Sequence, residues 1–236
     1  MHDFIEIYDI SQISVCENII SSFETQISHK FEIRFGEPIP PDYPMMGGKT
    51  QIVTTVQRPS KSSGLKAFNR NRQRICTTLG LNFSEEREIN ELVYAFVKTA
   101  IDKYRNKYDY LKKVDKASQW RLCPLYNIQR YDGKEEGFFS LHNESSGSYP
   151  YRILAGMVYL NDAECGTEFP YQEKTIIPKT GRTVIWPADW THPHRGVTPN
   201  VGLKYIATGW FYHLPKGEPK FDGRHPDEER IQEIVV

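Results

Sequence analysis

Apolar residues recur along this chain with two different periods. Between residues 84 and 107 they fall at spacings of three and four, as Ile89, Leu92, Val93, Phe96, Val97, Ala100, Ile101 and Tyr104. That spacing draws one apolar stripe along a helix packed on a sheet. Ser84 is a suitable N-cap, Glu85 and Glu86 complement the positive end of the dipole, and Lys103, Arg105 and Lys107 the negative end. The stripe reads as scaffold and carries no chemistry. From about residue 121 the pattern shifts to short runs rich in β-branched and aromatic residues: LYNIQRY (125–131), RILAGMVYLN (152–161), EKTIIP (173–178), RTVIWP (182–187) and GLKYIATGWFYHL (202–214). Turn-forming groups (YDGKEEG, NDAECG, PKTG, PADW) separate them. Strands in series with helical material upstream predict an α+β, mainly β fold: a β-sandwich or jelly-roll barrel with supporting N-terminal helices.

Elsewhere the pattern is weaker. Residues 1–57 read as mixed structure, interrupted by GEPIPPDYP at 36–44. The stretch 58–74 holds six Arg or Lys and no acid. It reads most simply as a solvated loop, and alternatively as a flap that helps to hold an acidic or anionic substrate. The tail from Lys216 to Val236 is charged and bears Pro and Gly, as a surface extension would. The organisation expected is one domain over 1–236: mixed helical support and loop over 1–120, a jelly-roll core over 121–214, and a surface tail over 215–236.

Composition narrows the setting. Thirty basic and thirty acidic residues cancel, so no global field invites nucleic acid or an anionic membrane. No apolar run approaches the ~18 residues of a membrane span. The start, MHDFIEIYDI, lacks a basic region followed by an apolar stretch, so no secretory signal is read and a cytoplasmic location is expected. Cys16, Cys76, Cys123 and Cys165 are far apart with no C-x-x-C pattern, and read as reduced thiols. A reducing compartment suits a ferrous site.

The candidate chemistry lies among the strands. His142 and Glu144 form a His-x-Glu pair whose side chains point the same way if the segment is extended. A second histidine, either His192 or His194 of WTHPHRG, follows, and then Lys204 in a β-patterned run. Two imidazoles and one carboxylate hold Fe(II) on one face of an octahedron and leave the opposite positions open. Lys204 adds a fixed positive charge, which points to an iron oxygenase whose co-substrate carries a carboxylate. His2, His29, His213 and His225 have no partner pattern and read as structural or exposed.

These elements resemble the prolyl 4-hydroxylase-like branch of the 2-oxoglutarate/Fe(II) dioxygenases, from about residue 125 to 213. Tyr131 stands on a first strand, followed by His142-Asn143-Glu144, Tyr159-Leu160-Asn161, Gly166-Thr167-Glu168-Phe169, Pro178 to Gly181, and His194 to Lys204, in the family's order. The resemblance implies a double-stranded β-helix (jelly-roll) core, with Fe(II), 2-oxoglutarate as co-substrate and O2; ascorbate is compatible as a further reductant. It implies His142, Glu144 and His194 as metal ligands, because the family's spacing puts the ligand ten residues before the basic residue. It also implies that Lys204 pairs with the distal carboxylate of 2-oxoglutarate and that Tyr159 hydrogen-bonds it. Tyr131 and Trp210 would line the pocket, Trp210 sharing a strand face with Lys204, Ile206 and Thr208; ordinary barrel packing is the other reading of Tyr159 and Trp210.

The family's more familiar carboxylate is Asp, and Glu144 is one methylene longer. A carboxylate oxygen is still presented to the metal, and its presence argues for hydroxylation over halogenation. The expected reaction converts 2-oxoglutarate to succinate and CO2 while a C–H bond is hydroxylated. The basic stretch and the resemblance favour a peptide or protein substrate with a target residue such as proline. A small-molecule hydroxylase, a cupin-like metalloenzyme without 2-oxoglutarate and a non-catalytic jelly-roll module are the alternatives. Neither nucleic acid nor membrane is an expected partner, and the sequence leaves the oligomeric state open.

Overall fold

Alternation of side chains along extended segments lets one strand serve two environments, and this chain uses that property throughout. The computed structural model describes residues 2–34, 51–54, 74–75, 77–81, 87–117, 120–122, 126–132, 137–138, 140–145, 150–197, 202–213 and 234–235. The proline-rich 36–44 segment, residues 84–86, Cys76 and Cys123 lie outside them; only Arg74 of the basic stretch and Ile234 and Val235 of the tail are described. In chain order the elements are β1 (Glu6–Asp9), α1 (Ile13–Arg34), β2 (Gln51–Thr54), β3 (Arg74–Ile75), β4 (Thr77–Leu81), α2 (Arg87–Lys107), α3 (Tyr110–Ala117), β5 (Trp120–Leu122) and β6 (Tyr126–Asp132). There follow β7 (Gly137–Phe138), β8 (Arg152–Tyr159), β9 (Thr167–Phe169), β10 (Lys174–Ile176), β11 (Arg182–Pro187), β12 (Arg195–Gly196), β13 (Leu203–His213) and β14 (Ile234–Val235).

The major sheet runs β1-β11-β8-β13-β6-β4-β2, with β5 pairing to β13 and β14 to β5. All of its pairings are antiparallel. A smaller sheet, β10-β9-β12, packs against it, and β3 pairs with β7. The architecture is a double-stranded β-helix core with supporting helices, as the sequence pattern and the resemblance imply. Two features differ from the expected layout. The first 120 residues supply strands β1, β2 and β4 to the major sheet as well as helical support, and the tail contributes β14, paired with Arg121 and Leu122. Among the described residues no helix is long and apolar enough to cross a membrane.

The helix-facing side of the major sheet is apolar. The stripe on α2 buries Ile89, Val93, Phe96, Val97, Ala100, Ile101 and Tyr104 against Ile128, Leu154, Val158, Ile185, Ala207 and Phe211 of the sheet. Helix α1, whose Cys16, Ile19 and Phe23 recur at spacings of three and four, joins the same core. The opposite face carries Tyr131, Ala155, Met157, Tyr159, Val184, Trp186 and Ile206, packed against Phe169 and Ile176 of the smaller sheet. Register explains the division: Lys204 lies opposite Tyr131, Ile206 opposite both Gln129 and Tyr159, and Thr208 opposite both Asn127 and Met157. These residues share one face because partners in an antiparallel ladder point the same way.

The motif residues between the strands have local duties. Gly181 sits at φ 77°, and a Cβ there would lie 2.1 Å from the Ile10 carbonyl oxygen, so only glycine fits the turn into β11. Asn161 accepts from the Tyr205 amide (2.7 Å) and donates to the Leu203 carbonyl (2.7 Å), continuing the ladder beyond the end of β8.

Candidate active site

His142 and His194 are brought side by side by backbone pairing. The His142 amide donates to the His194 carbonyl (3.0 Å) and the His194 amide to the His142 carbonyl (2.8 Å), an isolated antiparallel bridge. The ring centroids lie 4.4 Å apart. Each Nδ1 is within hydrogen-bonding distance of a backbone carbonyl, Ser140 for His142 (2.9 Å) and His192 for His194 (3.1 Å). A carbonyl can only accept, so each Nδ1 carries a proton and Nε2 is the ring nitrogen left to face a metal. Beyond the bridge the chain bends rather than remaining a regular strand: the Glu144 and Ser145 amides both donate to the Ala188 carbonyl, at 2.9 and 2.8 Å. The bend still turns the Glu144 carboxylate onto the histidines, with Oε1 3.4 Å from His194 Nε2 and 3.7 Å from His142 Nε2.

The donor set fits Fe(II). One ligand atom from each of the three residues lies within 4.8 Å of the other two. Ligands about 2 Å from one ion in neighbouring octahedral positions sit about 3 Å apart, so small side-chain shifts suffice. Burial works to raise the Glu144 pKa, but the hydrogen bonds and charge of His142 and His194 outweigh it and hold the carboxyl well below the usual carboxylate range. The second carboxylate oxygen is committed elsewhere: Trp210 Nε1 donates to Oε2 at 2.8 Å, and Arg152 reaches it at 3.4 Å. The Arg152 guanidinium stacks 3.8 Å from the centroid of the Trp210 ring. Oε1 is therefore the oxygen left to a metal. Trp210 lines the cavity and donates to the carboxylate from there.

The triad lies on a cavity of about 400 Å³ whose lining includes Asn127, Gln129, Tyr131, Thr167, Lys204 and Thr208. The cavity is deeper at Lys204, which is 2% exposed, than at His142 and Glu144, whose side chains are 20% and 17% exposed. Lys204 Nζ donates to the Val197 carbonyl (3.3 Å) and lies 4.7 Å from the centroid of the Tyr131 ring. Gly196 lines the cavity between Phe138 and Lys204, where a Cβ would meet both at ordinary contact distances of 3.4 and 3.7 Å.

Tyr159 is placed one step further back than the resemblance implies. It is fully buried, it does not line the cavity, and its hydroxyl contacts Thr167 Oγ1 (2.7 Å) and the Ile176 carbonyl (3.2 Å). Thr167 is the side chain that stands between it and the cavity. His192 is not part of the triad; its Nε2 meets the Asp3 backbone carbonyl at 2.7 Å. Among the cavity residues given no role in the sequence are Arg152, Thr167 and Phe138, the last stacked on His142 at 3.7 Å. Thr167 stood in the recognised Gly-Thr-x-Phe segment. Arg152 was hidden by a register shift between Phe211 and Tyr212, where both Ile153 and Leu154 turn to the helix-facing core. That break in alternation swings Arg152 to the cavity side.

Comparison with known proteins agrees with this geometry. Residues 126–212 match the 2OG-Fe(II) oxygenase superfamily. No curated protein sequence matches the chain. Among solved structures, the chain is similar to the viral collagen prolyl hydroxylase of Paramecium Bursaria Chlorella virus-1, at 14% identity and TM-score 0.55, over 89% of this chain and 97% of that one. It is also similar to a prolyl hydroxylase from Trichoplax adhaerens solved with a hypoxia inducible factor peptide fragment, at 13% identity and TM-score 0.58, over 89% and 84%. A Pseudomonas putida prolyl-4-hydroxylase aligns at 11% identity and TM-score 0.54, over 90% and 94%. Residues 126–212 thus carry the 2OG-Fe(II) oxygenase match, within a fold shared with these prolyl hydroxylases. The protein is a 2-oxoglutarate/Fe(II) dioxygenase, with Fe(II), 2-oxoglutarate and O2 as the partners of its chemistry.

Proposed function

We propose that this dioxygenase hydroxylates a C–H bond of a peptidyl residue such as proline, with His142, Glu144 and His194 holding the iron. The observation that carries the reading is the depth order of the cavity: a buried cation and the buried His194 inside, with the partly exposed His142 and Glu144 nearer the mouth. A buried ammonium held by a carbonyl and an aromatic face is a strong site for a carboxylate. The co-substrate therefore takes the deep end with its far carboxylate on Lys204, beside Tyr131 and Thr167. Tyr159 acts by fixing the Thr167 hydroxyl.

When bound, the iron supplies chelation of the keto acid and activation of O2, the chemistry that yields succinate, CO2 and a hydroxylated product. The chain's own part is orientation and exclusion of water. The two Nδ1–H groups are spent on backbone carbonyls, so the imidazoles cannot rotate away from the metal. Trp210 and Arg152 occupy one carboxylate oxygen of Glu144, and Phe138 covers the outer face of His142. The substrate then meets the triad from the mouth, past Asn143 and Arg152. A chain segment suits a shallow reactive end better than an enclosed metabolite does, and the Trichoplax neighbour was solved with a peptide fragment.

The test is anaerobic addition of 2-oxoglutarate to the Fe(II)-loaded protein, followed by assays of succinate release with proline-containing peptides. The expected results are a weak visible charge-transfer band, lost in His194→Ala, and peptide-stimulated succinate formation. No band with metal demonstrably bound would defeat the site assignment. A band with turnover only on a free small molecule would defeat the peptidyl assignment alone.

A further inference from the structure

His192 is the one histidine beside the site that no part of the reaction uses, yet it is buried, with only 5% of its surface exposed. Its ring crosses to the start of the chain, where Nε2 lies 2.7 Å from the Asp3 backbone carbonyl, and Nδ1 lies 2.8 Å from Thr191 Oγ1. Its own carbonyl is the partner of His194 Nδ1, at 3.1 Å. The ring is thus tied to the N-terminal segment, and the backbone of the same residue to the distal histidine of the triad.

The N-terminal segment is held firmly enough to act as an anchor. The Asp3 carboxylate pairs with Lys174 and caps the Ile5 amide at 3.1 Å. Phe4 adopts φ 56°, a left-handed conformation that costs a non-glycine residue about 1–3 kcal/mol. The compensation is on both sides of it: the Phe4 carbonyl accepts from Tyr104 Oη at 2.9 Å, and Ile5 is buried between the sheets beside Trp186 and Phe169. The next residue, Glu6, meets Lys107 (2.7 Å) and Tyr108 Oη (2.5 Å). Asp3 is tied to β10 by its own carboxylate and to α2 through the adjoining Phe4 carbonyl, which holds the Asp3 carbonyl in place.

We propose that His192 is a positioning residue: it clamps the 189–194 loop to the N-terminal strap and so sets the carbonyl that orients the His194 imidazole. The inference rests on His194 being a metal ligand. A ligating imidazole depends on the partner of its second nitrogen, and loss of such a partner costs about 10–100-fold in metal affinity. Here the partner is a backbone carbonyl, whose position the side chain of the same residue determines. The chain turns sharply just before His192, where the Thr191 amide donates to Asp189 Oδ1 (3.0 Å), and without the clamp that carbonyl is free to swing with the loop.

The experiment measures anaerobic Fe(II) affinity by competition and the visible spectrum of the Co(II)-substituted protein, in the full chain. His192→Leu should bind Fe(II) on the order of tenfold more weakly and shift the Co(II) spectrum. His192→Gln, whose amide donates to the Asp3 carbonyl, should restore part of the affinity. Asp3→Ala leaves the ring in place and loosens only its anchor, so it should shift the Co(II) spectrum in the same direction, and it serves if His192→Leu does not fold. Wild-type affinity and spectrum in His192→Leu, or in Asp3→Ala where that variant stands in, would overturn the proposal provided His194→Ala has lost the metal. Unchanged binding in His194→Ala would overturn the ligand reading itself, and the proposal with it.

Discussion

The two faces of strands β6 and β13 are built from adjacent residues and yet obey opposite rules. On the helix side stand Ile128, Tyr205, Ala207 and Phe211, in a core closed by α1 and α2. On the cavity side stand Asn127, Gln129, Tyr131, Lys204, Thr208 and Trp210, around a space that is not filled by the chain itself. Each apolar neighbour gains from leaving water, while the buried polar neighbours cost free energy unless something satisfies them. The difference teaches that one face holds the strands in register so that the other can present polar groups at fixed spacing. If that division is real, substitutions on the two faces should separate stability from binding.

The sharpest separation is expected at the triad. His194→Ala or Glu144→Ala should abolish succinate formation while the circular dichroism spectrum and cooperative unfolding persist. Normal succinate formation by either purified variant would remove the assignment. The opposite result is expected on the other face. Phe211 is fully buried, and Phe211→Ala should destabilise the protein by about 3–5 kcal/mol, read from urea unfolding, through lost burial and the cavity left behind. Below its transition, that variant should bind Co(II) with an unchanged spectrum. A folded Phe211→Ala protein with no metal site would mean that the faces are not independent.

Lys204→Ala tests the deep end of the cavity. Removing one partner of a buried charge-assisted contact costs roughly 2–5 kcal/mol, so 2-oxoglutarate should bind about thirtyfold more weakly or worse. Fe(II) affinity should hold, and so should stability, because burying an ammonium is itself costly. Retained 2-oxoglutarate binding would favour a cupin-like site that makes no use of the lysine.

These faces were legible in the sequence to unequal degrees. The α2 stripe from Ile89 to Tyr104 and five of the strands could be read, because their periods persist over enough residues to average out exceptions. The strands β7, β9 and β12 have only two or three residues each, too few for alternation to register. β1 and β4 join the major sheet through partners a hundred or more residues or a long connection away, which no local window contains. The triad was visible as residue types in a recognised order. What was not visible was the bend at Glu144, the retreat of Tyr159 behind Thr167 and the arrival of Arg152. Each of these depends on a break in regular alternation or on contacts between distant segments.

Trp210→Phe should have a smaller effect. It removes the donor that holds Glu144 Oε2 but keeps a ring on which Arg152 can stack. Loss of such a partner to a ligating group should weaken Fe(II) binding about tenfold, with little change in stability. A wild-type metal affinity would show that Arg152 alone suffices to orient the carboxylate.

The smallest expected effect lies at the edge of the cavity face, in the Asp3–Lys174 pair that anchors the N-terminal strap. Burial works to raise the Asp3 pKa, but the Lys174 ammonium and the Ile5 amide outweigh it, and the carboxyl is held below its ordinary value of 3.8. A carboxyl with a lowered folded-state pKa contributes stability that is fully present above the unfolded value and is lost as pH falls through the folded one. Both side chains are about one-third exposed, at 35% and 31%, so screening limits the contribution to at most about 1 kcal/mol. The difference in melting temperature between wild-type and Asp3→Asn apoprotein should therefore be small and constant from pH 7 to about pH 5. It should shrink only below 3.8, as far as the proteins remain folded. A difference that disappears well above that pH would show that the carboxylate is not held by its charge. One that persists to the acid limit would assign the anchor to the strap's neutral contacts instead.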